Sequence, residues 1–508
     1  MNLENTYLKK ILQARVYDVA EKTRLDYATN LSRRFNNHIL IKREDMQPVF
    51  SFKLRGAYNK IANLPKESLT KGIIAASAGN HAQGIALSAA KLGIPATIVM
   101  PKTTPEIKVA AVQNHGAEVI LHGTTYDDAS KHAQHLVEQR GLTYVHPYDD
   151  AEVIAGQGTI GMEILQQHTQ KLDAIFVPVG GGGLIAGVAA YVKYLRPEIK
   201  VIGVEPAEAA CLHAALKAGE RVTLDQVGIF ADGVAVRQVG KLPFEIASSH
   251  VDEVLLATTD EICAAIKDIF DETRTIMEPA GALGLAGLKQ YIAREKCSGQ
   301  HLVTITSGAN MNFERLGYVA ERTEIGERRE ALIAVTIPER PGSFRQFCHA
   351  IGQRVITEFN YRYAHNEQAH VFAGLRLSDG FAEKDKVIAK LREKAYSVVD
   401  LTDNEIAKAH IRHMVGGHTP HLLNERLYRF EFPERPGALL HFLTNMGQRW
   451  NISLFHYRNH GAAYGRVLVG IQVPDTQLTE FQKFLYKLGY PYWDEADNPA
   501  YQLFLSPR

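Results

Sequence analysis

Between Lys71 and Ile305, short apolar and β-branched runs alternate with longer helical stretches, and this rhythm limits the fold more than any other feature of the chain. Gly72–Ala76 predicts a strand, Ser77–Asn80 a turn, and His81–Leu92 a helix closed by Gly93. Ala96–Met100 and Ala117–Leu121 predict strands on either side of a helix over Pro105–Asn114. Tyr126–Arg140 predicts a helix and Thr143–His146 an extended run. The pattern resumes with a helix over Thr159–Gln170, strand Ala174–Val177, helix Leu184–Leu195 and strand Lys200–Val204. Strand His301–Ile305 comes last. Strict alternation of this kind implies parallel strands joined by right-handed crossovers, an open α/β sheet whose ligands collect outside the carboxyl ends of the strands.

The turns at those carboxyl ends carry the chemistry-bearing residues. Gly180–Gly183 follows a strand and opens a helix, so successive N–H groups and the helix dipole favour an anion there. No Lys-Ser or Lys-Thr follows, and the spaced glycines of a dinucleotide fingerprint are absent, so a compact phosphate monoester suits the site better than a nucleotide. Ser77-Ala78-Gly79-Asn80-His81 closes another strand and is either an ordinary helix cap or a carboxylate cradle. Ser307 ends a third strand. In Ser51-Phe52-Lys53-Leu54-Arg55-Gly56-Ala57, apolar neighbours flank an amine, and desolvation of this kind makes a lysine nucleophilic enough for Schiff-base chemistry.

Length and composition set the outer limits. At 508 residues the chain needs two to four cores, and its 45% apolar and 22% charged content is ordinary for a globular protein. A net charge of +1 with no basic run gives no support to nucleic-acid or anionic-membrane binding. Cys211, Cys263, Cys297 and Cys348 are far apart and predict reduced thiols, and no HExxH marks a metal centre. The N-terminus shows no apolar signal region and no stretch suits a membrane span, which places the expected location in the cytoplasm.

Beyond Arg315 the composition changes, and 321–330 reads as a charged linker. The chain then repeats itself. Ile337-Pro338-Glu339-Arg340-Pro341-Gly342 recurs as Phe432-Pro433-Glu434-Arg435-Pro436-Gly437, Ile356–Tyr361 as Ile452–Tyr457, and Val371–Leu375 as Val467–Ile471. Each copy predicts strand, Pro-Gly turn, helix (Ser343–Gly352; Ala438–Gln448) and hairpin, a small α+β unit whose duplicates cover each other.

The motifs Ser51–Ala57, Ser77–Gly84, Gly180–Leu184 and Ser307–Leu316, in this order, resemble the threonine/serine dehydratase group of fold-type II pyridoxal-phosphate enzymes. With the duplicated tail the resemblance extends to biosynthetic threonine dehydratases over essentially the whole length. It implies a catalytic domain over 1–322, with a small subdomain at roughly 45–150. A linker at 323–330, ACT-like regulatory repeats at 331–402 and 426–508, and a connector at 403–425 complete the organisation. The implied cofactor is pyridoxal 5'-phosphate. Lys53 would carry it as a Schiff base and serve as base, with Phe52 packing nearby and Asn80 on the ring 3′-oxygen. Gly180, Gly181, Gly182, Gly183 and Leu184 would hold the phosphate, and Ser307 would face the pyridine nitrogen. Ser77, Ala78, Gly79, Asn80 and His81 would hold the substrate carboxylate.

The implied reaction is dehydration and deamination of L-threonine to 2-oxobutanoate and ammonia, at the start of isoleucine biosynthesis. The implied assembly is a homotetramer, inhibited by isoleucine and relieved by valine. Tyr361-Arg362 and Tyr457-Arg458 occupy equivalent places in the two repeats, as effector contacts or as core strand residues. A serine dehydratase or racemase of the same fold is the alternative, but the racemase branch uses a second serine where this chain has Ala78. Of that branch's divalent-ion carboxylates Glu205 fits, while Cys211 replaces an aspartate, so no metal is expected. A catalytically inactive amino-acid sensor is a further alternative, opposed by the intact lysine, asparagine, tetrad and serine.

Overall fold

In the computed structural model the alternating stretch builds two sheets. The structure describes residues 3–505 apart from 103, 124, 363–366, 405–406, 409–410, 415–418, 420–421, 434–436, 459–463, 499–500 and 502–504. The ten strands of the first part are β1 (Leu25–Tyr27), β2 (His38–Arg43), β3 (Ile73–Ala76), β4 (Ala96–Met100), β5 (Glu118–Leu121), β6 (Thr143–Tyr144), β7 (Ala174–Pro178), β8 (Lys200–Pro206), β9 (Glu253–Ala257) and β10 (His301–Thr306). A four-stranded sheet in the order β5-β4-β3-β6 is parallel throughout. A six-stranded sheet in the order β1-β2-β10-β7-β8-β9 is parallel except for its antiparallel edge β1. This is the doubly covered α/β architecture that the pattern predicts.

Both faces of these sheets are buried, so their strands are continuous apolar runs and not alternating ones. Ile73 and Ala75 join one core with Ile85 and Ile98, while Ile74 and Ala76 join another with Ala129 and Leu136. In the larger sheet Phe176 faces one core and Ile175 and Val177 the other. Local signals end the helices. Thr125 and Asp128 form a capping box for helix Tyr126–Arg140, and Gly93 closes helix Asn80–Leu92 with φ +68°.

Two expectations need correction. The helix expected from Thr159 begins at Ala151, where Asp150 accepts hydrogen bonds from the N–H groups of Glu152 (2.8 Å) and Val153 (3.2 Å). Its early glycines look like helix breakers but are contact points: a Cβ on Gly156 would lie 2.7 Å from the Cα of Gly56. The stretch read as a linker is largely the end of a helix, Leu316–Gly326. Arg322 stacks on Tyr318 at 4.7 Å and bonds Asp260 at 2.9 Å, so this part of the stretch is packed and is not a solvated spacer.

The chain divides into two compact units, Met1–Thr323 and Glu324–Arg508. The second holds one eight-stranded antiparallel sheet of β11 (Glu330–Pro338), β12 (Ile356–Arg362), β13 (Gln368–Arg376), β14 (Ser397–Asp400), β15 (Glu425–Pro433), β16 (Asn451–Arg458), β17 (Tyr464–Gln472) and β18 (Tyr492–Asp494). Its order is β14-β11-β13-β12-β16-β17-β15-β18. The two repeats thus join edge to edge through β12 and β16 and do not cover each other face to face. One aromatic-rich core, with Phe347, Phe359, Phe442 and Phe455, runs beneath both. The duplication extends to detail. Each repeat breaks register at the same place, Thr357 and Ser453, and each of these hydroxyls donates to a carboxylate of its repeat's first strand, Glu330 or Glu425.

Candidate active site

Lys53 opens helix Lys53–Ala62 at the carboxyl end of β10. The Phe52 N–H donates to Ser307 O at 3.2 Å, and Ser51 bridges Gly308. Two glycines let neighbouring helices press backbone against backbone here. A Cβ on Gly84 would fall 3.0 Å from Leu54 N, and one on Gly56 would fall 2.8 Å from Val153 O. Arg55, fully buried, is held by Glu44 (2.8 Å) and Glu163 (2.7 Å), and Lys42 adds a 2.6 Å pair to Glu163. The lysine-bearing turn is therefore pinned from below.

The Lys53 amine donates to Gly233 O at 3.4 Å. Burial drives its pKa below the ordinary lysine value against the pull of Glu278 and Asp232. His81 is deep in the same region, its Nε2 at 3.0 Å from Val145 O, and burial pushes its pKa down to about 3, so it is neutral. Asn80 is clamped at both ends of its amide: Nδ2 donates to Glu278 Oε1 at 2.6 Å, and Oδ1 accepts from Asn310 Nδ2 at 2.7 Å. Ser307 is buried, and its Oγ donates to Ala280 O at 3.3 Å.

Between β7 and helix Gly183–Leu195 the tetrad is closely covered. A Cβ on Gly181 would enter the Tyr148 ring, one on Gly180 would lie 2.9 Å from Val234 Cα, and Gly182 has φ +92°. Among the described residues none of the N–H groups of Gly180, Gly181, Gly182, Gly183 and Leu184 donates to the protein, and the same holds for Ala78, Asn80 and His81. Two fans of free N–H groups at helix starts, one beside the helix that Lys53 opens, suit two anionic groups.

Residues 16–308 match the family model described as pyridoxal-phosphate dependent enzyme. Residues 321–411 and 416–505 each match the C-terminal regulatory domain of threonine dehydratase. The biosynthetic L-threonine dehydratase IlvA of Burkholderia multivorans is 57% identical over 98% of this chain and 99% of its own. The chain belongs to the biosynthetic threonine dehydratases. The IlvA protein of Escherichia coli is 53% identical over 98% of this chain and 97% of its own. The structure of processed threonine deaminase isoform 2 from Solanum lycopersicum aligns with TM-score 0.63 at 50% identity, covering 63% of this chain and 88% of that one.

As a pyridoxal-phosphate-dependent lyase, this dehydratase needs a site for an aldehyde, a ring nitrogen, a phenolic oxygen and a phosphate. The residues present fit that group: an enclosed amine at Lys53, a neutral hydroxyl at Ser307, an oriented amide at Asn80 and unpartnered N–H groups in a side-chain-free cradle.

Several residues that the structure places beside these groups are absent from the sequence reading. Glu278 belongs to no motif; it precedes helix Pro279–Glu295, is 4% exposed and touches Asn80. Burial, then the Asp232 charge, pushes its pKa up to about 7. Tyr148, which covers Gly181, and Gly233, which meets Lys53, carried no motif signal either. Glu205 accepts the N–H groups of Leu212 and His213, both at 2.8 Å, and burial raises it to about 7. Among the described residues no group of three His, Cys, Asp or Glu side chains is placed to hold a metal ion, and no helix is long and apolar enough to cross a membrane.

In the tail, Tyr361 is buried against Phe344, with ring centroids 4.8 Å apart, and its hydroxyl donates to Glu339. Tyr361 pairs across the sheet with Phe455, and Tyr457 with Phe359, so both tyrosines lie on the core face. The side chains of Arg362 and Arg458 lie outside the described residues, as does Glu434, the counterpart of Glu339.

Proposed function

We propose that this chain dehydrates and deaminates L-threonine to 2-oxobutanoate and ammonia, opening isoleucine synthesis. The observation that carries the reading is the Lys53 amine: enclosed, depressed in pKa, and set on a pinned helix start beside Ser307. Pyridoxal phosphate, when bound, supplies an aldehyde that joins an amine and a ring that withdraws electrons from the substrate's Cα. Lys53 would hold its aldehyde carbon, Asn80 its 3′-oxygen, Ser307 its ring nitrogen, and Gly180 to Leu184 its phosphate, with Phe52 packed alongside. Ser307 brings no charge to the ring nitrogen, which favours prompt loss of a β-hydroxyl over a long-lived carbanion.

The chain's own groups do the rest. The free N–H groups of Ala78, Asn80 and His81, at the positive end of helix Asn80–Leu92, hold the substrate carboxylate within the Ser77–His81 turn. Burial eases the neutral form of Lys53 Nζ, which removes the Cα proton. Departure of that proton and the β-hydroxyl leaves an enamine that tautomerises and is hydrolysed by water. Ala78 offers no acid for return of a proton on the opposite face, so elimination is favoured over racemisation.

The regulatory tail supports inhibition by isoleucine and relief by valine, with Tyr361 and Tyr457 as candidate effector contacts and Arg362 and Arg458 beside them in sequence. We place the enzyme in a homotetramer in the cytoplasm. The test is 2-oxobutanoate formation from L-threonine with and without isoleucine. Isoleucine should suppress it, and Lys53→Ala should lower turnover by about 10²–10⁴-fold or more. Full turnover by Lys53→Ala, or no product from threonine, would sink the reading.

A further inference from the structure

Glu278 is a buried carboxyl set among the motif residues, and none of the motifs includes it. It lies at the N-terminus of helix Pro279–Glu295, where its N–H donates to Gly308 O at 3.3 Å, so backbone fixes it beside the end of β10. A Cβ on Gly308 would overlap Glu278 Oε1 and come within 3.2 Å of Asn80 Nδ2; the glycine leaves the space that the Glu278–Asn80 contact occupies. A Cβ on Gly233, whose carbonyl accepts from Lys53, would lie 3.6 Å from the same Oε1. Asp232, Lys53 and Lys108 are the charged groups that act on this carboxyl.

An asparagine amide has two faces that a cofactor would feel differently, one donating and one accepting. Here Asn310 Nδ2 donates to Asn80 Oδ1 at 2.7 Å, and Glu278 Oε1 takes one Nδ2 hydrogen at 2.6 Å. One amide hydrogen is left over. We propose that Glu278 is a positioning residue: with Asn310 it locks the Asn80 amide in the one orientation that presents this remaining N–H, and not the carbonyl, to the cofactor. The proposal rests on Asn80 meeting the cofactor's 3′-oxygen, as set out above. A flipped amide would put an acceptor against an oxygen and set its own N–H₂ against the Asn310 amide hydrogens. A carboxyl at 278 disfavours that flip above its pKa of about 7, because the ionised carboxylate only accepts.

The experiment uses the full-length holoenzyme and four variants, Asn80→Ala, Glu278→Ala, Glu278→Gln and Asn80→Ala/Glu278→Ala. Three quantities are read: the absorption maximum of the bound cofactor, cofactor Kd by titration of the apoenzyme, and kcat. Asn80→Ala should shift the absorption band. Glu278→Ala should shift it the same way and lower kcat about tenfold, the scale of one lost hydrogen bond. The double variant should match Asn80→Ala alone, because two residues acting through one contact are not additive. Glu278→Gln keeps an acceptor in place and should shift the band less than Glu278→Ala. A Glu278→Ala holoenzyme with the native band, or effects that add in the double variant, overturns the proposal. If Glu278→Ala does not fold, a Glu278→Gln band displaced as far as that of Asn80→Ala overturns it. An unshifted Asn80→Ala instead sinks the Asn80 assignment itself, so the two failures are distinguishable.

Discussion

The two units bury carboxylates in different ways. Under the lysine-bearing helix, burial pushes Glu44 up, but Arg55 outweighs it, with help from Lys42 and Thr23, and holds the carboxyl below the ordinary range. In the tail, Arg412 reaches Glu358 at 2.8 Å and Glu330 at 3.4 Å, yet burial wins and Glu330 is pushed up. The first arrangement favours the charged form of its Glu44 carboxylate. It is a fixed pin, and what it fixes is the turn that carries Lys53. The second arrangement can take up a proton as conditions change, and it joins the segment between the repeats to the sheet of the first repeat.

The largest effect should come from breaking the pin. Arg55→Leu leaves Glu44 and Glu163 buried with one cation fewer, which costs about 3–5 kcal/mol and lowers the thermal transition of the catalytic unit by roughly 10 °C. A loss under about 1 kcal/mol, or a transition that stays put, would mean that the network is plastic and the comparison wrong.

Arg412→Leu should cost less, about 2–3 kcal/mol near pH 8, because Glu330 can respond by binding a proton. The sign follows from linkage. A carboxyl whose folded pKa lies above its unfolded value stabilises most below the unfolded pKa, and the contribution fades as pH rises through the folded one. Removing Arg412 raises that folded value further, so the deficit should shrink as pH falls toward 5. Equal deficits at pH 5 and pH 8, measured by thermal melts, would erase the distinction between the two units.

Much of this was legible in the sequence because parallel strands buried on both faces leave unbroken apolar runs, as in Ala96–Met100 and Ala174–Pro178. The glycine tetrad and the lysine turn were legible because each is contiguous in the chain. Glu278 was not, because its meaning comes from Asn80, far away in sequence, and from the space left by Gly308. Helix Ala151–Gln167 was misjudged at its start, since Gly156 and Gly158 serve packing that no local propensity encodes: a Cβ on Gly187 would lie 2.6 Å from Gly158 N. The burial of Tyr361 was not legible either, because the pairing of β12 with β16, set by residues far apart in the chain, decides that it meets the core.

The smallest effect is the one that tells most about the tail. Tyr361 donates its hydroxyl to Glu339, and Asn451 from the other repeat donates to the same carboxylate at 2.9 Å. Glu339 is raised by burial, against the pull of these two donors. Tyr361→Phe keeps the ring on Phe344 and removes one donor, so stability should fall by only about 1 kcal/mol. If Tyr361 serves as a core aromatic alone, the response to isoleucine stays as it was. If the hydroxyl and the carboxylate it holds take part in sensing an amino acid, the concentration of isoleucine needed for half-inhibition rises severalfold while turnover without isoleucine stays near its original value. An unchanged inhibition curve in Tyr361→Phe would remove this end of β12 from the effector site and return the tyrosine to the core.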